Sequence, residues 1–582
     1  MSPVAETRRG IGVSPGCAHG PVVQVAPPAR PPVDEPAVED RAAALAEIGA
    51  AFEVVAVQLE TKAGTLDDAA HQLDGETGQL DVETGQLDDT AQQVLRATAL
   101  IARDRGLLKA VDEQLAAGRG RATAIAHAVE EYCARFESRG GYFAERATDL
   151  RDVGARAVAV LLGLPAPGVP DLVEPSVLVA QDFAPAETAT LDRSLVVGIV
   201  TQGGGPTSHT AILAAQMGIP AVVGLTGATG IPSGTLVTLD GDTGEVTIAP
   251  DGALVEAQRR RRDKRAEVLA TGSGPGVTRD GRPVALLANI GGVQDAEAAG
   301  ALDLEGIGLF RTEFLFLATK QAPSVEEQAA TYRKVLRPFG ARRVVVRTLD
   351  AGADKPLAFA DLGPEDNPAL GRRGLRLSAA RPELLDAQLK ALAIAAADTG
   401  ADVRVMAPMV ATVGEAAWFA QRVRANGLGQ VGVMIEVPSA ALRARHLLVE
   451  VDFGSVGTND LAQYTMAADR MHGELADLLD PWQPAVLDLV AAACDGARRA
   501  DRPVGVCGES AGDPLLALVL AGLGASSLSM APSRVPLVRL ALSLHSMPEC
   551  QELAGVAREA RTAAEALEGV RSRAHPDLTA IL

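Results

Sequence analysis

The period of the hydrophobic positions changes along the chain, and the changes divide it into stretches. From Gly10 to Val25 the sequence IGVSPGCAHGPVVQV carries two short apolar runs broken by a Pro-Gly pair, which predicts two strands and a turn. A proline-rich link, APPARPPVDEP, marks a boundary after them. Residues 38–163 are rich in Ala, Glu and Arg with helical spacing of the apolar positions, which predicts a helical bundle. Residues 164–250 return to short β-rich runs with glycine turns (SVLVAQDF, SLVVGIVT, AVVGL, TLVTLDGDTGEVTIA), the pattern of a compact α/β or β-rich domain. A charged helix with the run EAQRRRRDKRAEVLA occupies 251–272. Beyond it, VALLANI, GIGLFRTEF, RRVVVRTLD, DVRVMAPMV, QVGVMIEVP, FGSVGTNDL, PVGVCGES and SSLSMAPS alternate with helical stretches. That rhythm over 273–582 predicts a (β/α)8 barrel, with an open doubly wound sheet as the alternative.

A seven-residue repeat interrupts the helical stretch. TKAGTLD, DAAHQLD, GETGQLD and VETGQLD follow one another over 61–88 and set Leu59, Leu66, Leu73, Leu80 and Leu87 seven apart. A coiled-coil seam needs a second apolar position per heptad, yet the residues four before those leucines are Val55, Lys62, Ala69, Glu76 and Glu83. Gly64, Gly75, Gly78 and Gly85 weaken a helix further. The repeat reads as a local duplication extending a solvated hairpin tip, or as a stalk for oligomerisation or a partner.

Charge narrows the partners. A formal net charge of −20 argues against nucleic acid, whose phosphates demand a basic surface. It suits simple solubility or the steering of a basic protein partner. No apolar run approaching the roughly 18 residues of a bilayer span is apparent, and the first residues lack the apolar core of a signal peptide. The five cysteines, Cys17, Cys133, Cys494, Cys507 and Cys550, show neither metal-ligand nor disulfide spacing. A cytoplasmic protein without membrane insertion is expected.

Candidate chemistry sits in two places. In GGGPTSHTAILAAQMGIPAVVG, the glycines from Gly203 to Gly205 permit close backbone approach. Thr207 or Ser208 suits the N-cap of the helix that TAILAAQM would form. His209 then stands at a helix N-terminus, where exposed N–H groups and the helix dipole favour an anion such as a phosphate carried on the imidazole. Neutral imidazole is a competent nucleophile near neutral pH. On these residues alone a structural and a functional histidine both stand. In the barrel, Arg311 ends the second strand-like segment, Arg347 the third, Glu436 the fifth, Asn459 and Asp460 the sixth and Cys507 the seventh. Barrel active sites lie on that face. Guanidinium forks match carboxylates and phosphates, and Glu436 and Asp460 are hard oxygen ligands suited to Mg²⁺. Cys507 is either a core cysteine or, at an arginine-lined mouth, a proton donor. Strand-end salt bridges account for any one pair but not for the whole set.

At these residues the chain resembles Enzyme I, the phosphoenolpyruvate–protein phosphotransferase of the bacterial sugar phosphotransferase system. SPGCAHG, AERATDLRDVGAR, GGGPTSHTAI, GLFRTEFLF, RTLDAGADKP, NPALGRRGLR, VMAPMV, MIEVPSA, GTNDLAQYTMAADR and GVCGESAGD resemble the family's motifs, in its order and over nearly the whole chain. The resemblance implies an α/β multidomain protein: a phosphohistidine (swivelling) α/β domain from 1–37 and 164–250, an inserted helical subdomain at 38–163, a linker helix at 251–272 and a C-terminal (β/α)8 TIM-type barrel at 273–582. It implies that His209 is phosphorylated on Nε2 and steadied by Thr188. Phosphoenolpyruvate would be clamped by Arg311, Arg347, Arg373 and Arg470 with Asn459, Asp460 and Lys355. Glu436 and Asp460 would hold Mg²⁺, and Cys507 would protonate the enolate to give pyruvate. The helical subdomain would bind the carrier HPr, and the barrel would form a homodimer. Pro206 and Ala353 depart from the family pattern, which carries Arg and Gly there, and the heptad insert has no counterpart.

Three other readings compete. A pyruvate phosphate dikinase or phosphoenolpyruvate synthase shares the phosphohistidine and barrel motifs but needs an ATP-binding domain. A helical segment fills that place here. A catalytically silent phosphorelay regulator would not need the full set of acid, metal and arginine positions. The nitrogen-related branch adds an N-terminal sensory domain, whereas this chain opens on the SPG segment.

Overall fold

The computed structural model describes residues 5–582 apart from 15, 77–97, 138–141, 171, 184–190, 192–193, 206–207, 209, 212–213, 215–216, 317–318, 320, 353–356, 361, 364 and 471. The chain forms two compact units, Met1–Arg262 and Asp263–Leu582.

The first unit is built on an eight-stranded sheet. Its strands are β1 (Glu6–Arg9), β2 (Ile11–Ser14), β3 (Cys17–Gln24), β4 (Ser176–Ala180), β5 (Val196–Thr201), β6 (Ala221–Val223), β7 (Leu236–Asp240) and β8 (Glu245–Ile248), in the order β1-β8-β7-β3-β4-β5-β6-β2. The pairs from β3 through β6 are parallel and the flanking pairs antiparallel. β4, in the middle, is buried at every residue. Val177 and Val179 pack on one face with Val22, Val200 and Leu239, and Leu178 and Ala180 pack on the other with Ile199, Phe183 and Ala214. With both faces covered, the strand reads as an unbroken apolar run. β1 is the opposite case. Its sequence ETRR has no apolar pattern, and antiparallel pairing with β8 at the sheet edge makes it a strand. A charged edge strand discourages pairing with another chain.

Between β3 and β4 the chain inserts the helices α1 (Arg41–Glu76), α2 (Arg105–Ala116), α3 (Arg121–Glu137) and α4 (Tyr142–Leu162). Their core joins Ile48, Phe52, Val55 and Leu59 of α1 to Leu107, Val111 and Leu115 of α2, Ile125 and Val129 of α3, and Leu150 and Val153 of α4. The α1 residues recur at the three- and four-residue steps of one helix face. By length and composition alone, Arg41–Thr61, with a hydropathy of 1.6, could cross a bilayer. Its sequence does not read as a continuous apolar run because Glu47, Glu53, Gln58 and Glu60 interrupt it. In the fold, Ile48, Phe52, Val55 and Leu59 line the bundle core, while Val54 and Val57 are exposed. α1 continues through the start of the heptad repeat to Glu76, and the rest of the repeat lies outside the described residues. The charged helix, α5 (Gly252–Thr271), contains the boundary between the two units.

The second unit is a closed barrel. β9 (Ala285–Ile290), β10 (Gly306–Arg311), β11 (Arg343–Arg347), β12 (Asp402–Ala407), β13 (Gln430–Ile435), β14 (Phe453–Val456), β15 (Val504–Val506) and β16 (Ser527–Met530) pair in parallel in chain order, and β16 returns to β9. Residue parity sorts the side chains. Val344, Val346, Val431, Val433, Ile435, Val504 and Val506 pack outward in the large core shared with the helices. Leu309, Val345, Met406, Met434, Phe453 and Cys507 form a separate inner cluster. The inner parity is the one that carries Arg311, Arg347, Glu436 and Cys507, so alternation aims these residues at the lumen.

Candidate functional site

The C-terminal rim of the barrel collects charge in a buried place. Arg311 and Arg347 are the last residues of β10 and β11. Glu436 and Cys507 directly follow β13 and β15. Asn459 and Asp460 differ from the sequence expectation. β14 ends at Val456, and both residues lie in the first turn of the helix Thr458–Met466. The strand stops at Gly457, where an added Cβ would come within 2.8 Å of Glu436 Oε2. Arg373 and Arg470 come from loops beyond β11 and after that helix. Lys355 lies outside the described residues.

Ion pairs tie these groups together. Arg347 donates to the Glu313 carboxylate and pairs with Asp350 at 3.2 Å. Arg373 pairs with Asp350 at 2.9 Å and with Asp460 at 3.0 Å, and Arg470 approaches Asp460 at 3.6 Å. Burial works against charge on Arg347 and Arg373, but the surrounding carboxylates outweigh it and raise both above the ordinary arginine value. Among the described residues, the Arg311 side chain has no ion pair or hydrogen bond, which leaves its whole fork for a ligand. Tyr464 donates to the Ala369 carbonyl at 2.5 Å and accepts from Arg373 at 3.4 Å. A cavity of about 540 Å³, with Arg373, Tyr464 and Arg470 in its wall, opens beside this network. That volume lies within the range of small-molecule sites.

Glu436 is fully buried. Burial, with the nearby charges of Asp460 and Asp350, pushes its carboxyl well above the usual carboxylate range against the pull of Arg347 and Arg373. Oε1 accepts from the Met409 N–H at 2.6 Å, whereas Oε2 is buried with no hydrogen-bond partner. Met409 holds a left-handed backbone, φ 58°, to make that contact. An orphaned carboxylate oxygen within the electrostatic reach of Asp460 suits a hard dication, which binds through one or two carboxylates and fills its remaining positions with water and substrate oxygens. Among the described residues no group of three or more His, Cys, Asp or Glu side chains is arranged as a self-sufficient metal cage.

Cys507 is 1% exposed and its thiol faces the Val456 carbonyl at 3.6 Å. Burial lifts the thiol from 9.0 to about 11, so it stays protonated at neutral pH. The residue's own carbonyl accepts from Asn289 Nδ2 at 3.1 Å, and Asn289 in turn accepts from Ser529 Oγ at 2.6 Å. Asn459 Oδ1 accepts from the Glu509 N–H at 3.3 Å.

In the first unit, His209 and Thr188 lie outside the described residues. Their surroundings are partly described. Ser208 Oγ accepts from the Ala211 N–H at 3.3 Å, the contact of a helix N-cap. Thr210 donates to Asp182 at 2.8 Å. Gly204, φ +84°, lets the loop turn beneath Ser208.

The sequence reading passed over Asn289, Glu313, Asp350 and Tyr464. Asn289 was accessible, as the polar residue of inner parity near the end of the first strand. Asp350 follows Arg347 by three residues and is turned back onto its guanidinium by the fold, whereas Glu313 meets the same arginine from 34 residues away.

Comparison with known proteins agrees with this geometry. Residues 265–546 match the profile of the PEP-binding domain of PEP-utilising enzymes, 172–244 that of their mobile domain and 9–146 that of their N-terminal region. The phosphoenolpyruvate-protein phosphotransferase of Streptomyces coelicolor is 52% identical over 485 residues, covering 82% of this chain and 87% of that one. The chain belongs to the phosphoenolpyruvate-protein phosphotransferase (Enzyme I) family. The Bacillus subtilis protein of the same name is 38% identical over 477 residues, 79% of this chain and 83% of its own. A solved structure of Enzyme I, 29% identical, covers 44% of this chain and 99% of its own with a TM-score of 0.37.

Proposed function

We propose that the protein takes the phosphoryl group of phosphoenolpyruvate onto His209 and hands it to a histidine of the small carrier HPr, releasing pyruvate. Arg311, unpaired beside the linked arginines and carboxylates of the barrel mouth, carries this reading. Phosphoryl transfer needs mainly positioning and charge neutralisation, and four arginines converging on one rim supply both. In the first step the imidazole Nε2 of His209 attacks phosphorus, and the bond from phosphorus to the enol oxygen breaks. Arg311, Arg347, Arg373 and Arg470, with Asn459, Asp460 and Lys355, hold the phosphoryl and carboxylate groups. Thr188 steadies the imidazole. The enolate left behind takes a proton at its methylene carbon from the Cys507 thiol, and water later restores that proton. The raised thiol value supports this role, because a donor must be protonated when the enolate forms.

Glu436 and Asp460 would hold Mg²⁺, which when bound neutralises charge on phosphoryl and enolate oxygens. We read residues 1–37 and 164–250 as the swivelling phosphohistidine domain, 38–163 as the HPr-binding subdomain and 273–582 as the phosphoenolpyruvate-binding barrel, which also forms a homodimer. Because His209 and the barrel mouth belong to different units, the histidine must travel between phosphate donor and acceptor. The helical core residues of Arg41–Thr61 support a cytoplasmic protein without membrane insertion.

Labelled phosphoenolpyruvate with Mg²⁺ tests the reading. The wild type should take up acid-labile phosphate and release pyruvate, and His209→Ala should take up none. Continued labelling of the alanine variant overturns the assignment.

A further inference from the structure

Asp350 is a buried carboxylate that the mechanism above does not use. It lies three residues beyond Arg347 and is 1% exposed. Its Oδ2 forms an ion pair with Arg347 Nη1 at 3.2 Å and accepts from Arg373 Nη2 at 2.9 Å, while Oδ1 accepts from Arg373 Nε at 3.3 Å. One carboxylate thus grips the side of one guanidinium with both oxygens and the end of a second with one. Two-point contact fixes the plane of the Arg373 fork as well as its position.

The backbone is shaped to keep it there. Gly352 and Gly374, on either side of the contact, both have positive φ, 115° and 58°. A Cβ on Gly352 would meet Arg373 Cβ at 2.8 Å, and one on Gly374 would meet Asp350 Oδ1 at 3.2 Å. The Gly374 N–H donates to the Ala351 carbonyl at 3.2 Å, so the two segments lie backbone against backbone. Only residues without side chains allow that approach.

We infer that Asp350 is a positioning residue: it fixes the spacing of the Arg347 and Arg373 guanidiniums and so makes the site prefer an anion bearing both a phosphoryl and a carboxylate group over a lone phosphate. This rests on the reading that the barrel mouth binds phosphoenolpyruvate. The spacing of two forks matters only to a ligand that engages both. A single tetrahedral anion can follow either arginine. The competing role, a plain counter-charge, has the opposite signature, since removing a negative charge strengthens the binding of every anion.

The test uses the full-length protein with Mg²⁺ and compares wild type, Asp350→Asn and Asp350→Glu. It measures kcat and KM for phosphoenolpyruvate from pyruvate release, with inorganic phosphate as competitive inhibitor. Glutamate keeps the charge and moves it by one methylene, so a counter-charge role predicts wild-type values for that variant. Positioning predicts a KM raised about tenfold or more in both variants, because small misplacements of binding groups are costly. It also predicts a phosphate inhibition constant within about twofold of wild type and kcat largely kept, since a rigid two-fork site discriminates by geometry. Because Asp350 lies in the barrel unit, far-UV circular dichroism and the denaturant midpoint of the full-length protein report that each variant is folded, and if one variant fails that control the other decides. An unchanged KM in a folded variant overturns the inference, as does a fall in KM and inhibition constant together. Failure of the wild type to release pyruvate would instead sink the reading of the site.

Discussion

Cys507 shows how far one side chain depends on its surroundings. The sequence leaves it either a core cysteine or an acid, and the fold makes it a buried thiol of the inner barrel cluster beside Arg311, Arg347 and Glu436. The same desolvation acts on Cys494 and Cys550, both pushed up to about 12. These shifts carry a sign. A folded value above the unfolded one stabilises the protein fully below the unfolded value of 9.0, and that stability is lost as pH rises through about 11 to about 12. The denaturant midpoint of the barrel should therefore fall steadily from pH 9 upward, and Cys494→Ala should make the fall shallower. A midpoint flat through that window contradicts the burial argument. Asp350 and Glu313 are the other lesson at this scale. Neither announces itself in the chain, because a carboxylate three residues after an arginine is commonplace and Glu313 is 34 residues from Arg347 until strands β10 and β11 set them side by side.

Among the elements, the helix Pro514–Leu523 is buried at nearly every residue and gets its start from a single side chain. Asp513 accepts from the N–H groups of Leu515 and Leu516 at 2.9 and 3.2 Å and from the Trp482 indole at 3.1 Å. Asp513→Ala removes a cap and strands three donors, at a cost of about 3 kcal/mol. Asp513→Asn, which keeps an oxygen acceptor, should lose less, as measured by chemical denaturation. An alanine variant within about 0.5 kcal/mol of wild type would show that water replaces the cap. Legibility differs between elements for a physical reason. The barrel strands show in the sequence because their outward residues must be apolar. β1 does not, because its edge position and its pairing with β8 are decided by tertiary contact. Asn459 and Asp460 were read onto a strand because FGSVGTNDL begins as one. The break at Gly457 depends on the packing of Glu436 against it.

For the molecule as a whole, the proposed function assigns donor and acceptor chemistry to separate units, and metal removal should separate them. Chelation with EDTA should abolish pyruvate release from phosphoenolpyruvate, and Mg²⁺ should restore it. Exchange of phosphate between HPr and His209 should persist, since Glu436 and Asp460 lie in the barrel unit and His209 in the other. Equal loss of both half-reactions would place the metal requirement elsewhere. The net charge of −20 bears on the same scale, because an acidic protein steers a basic partner and the exchange should slow as salt rises.

By itself the sequence determined the rhythm of eight strand-and-helix units, with an open doubly wound sheet left as the alternative to a closed barrel, and the placing of Arg311, Arg347, Glu436 and Cys507 at strand ends. Those follow from local rules, the period of apolar positions and the chemistry of single residues. Tertiary structure alone decided which charges meet. Arg373, Asp350, Asp460 and Arg470 are spread over more than a hundred residues and come within hydrogen-bonding or ion-pair reach only when loops close over the barrel. The burial that leaves Glu436 Oε2 without a partner and keeps Cys507 protonated is likewise a property of the closed lumen. On the proposed reading His209 draws its meaning from both levels: its motif is local, and its phosphate source is built by residues in another unit.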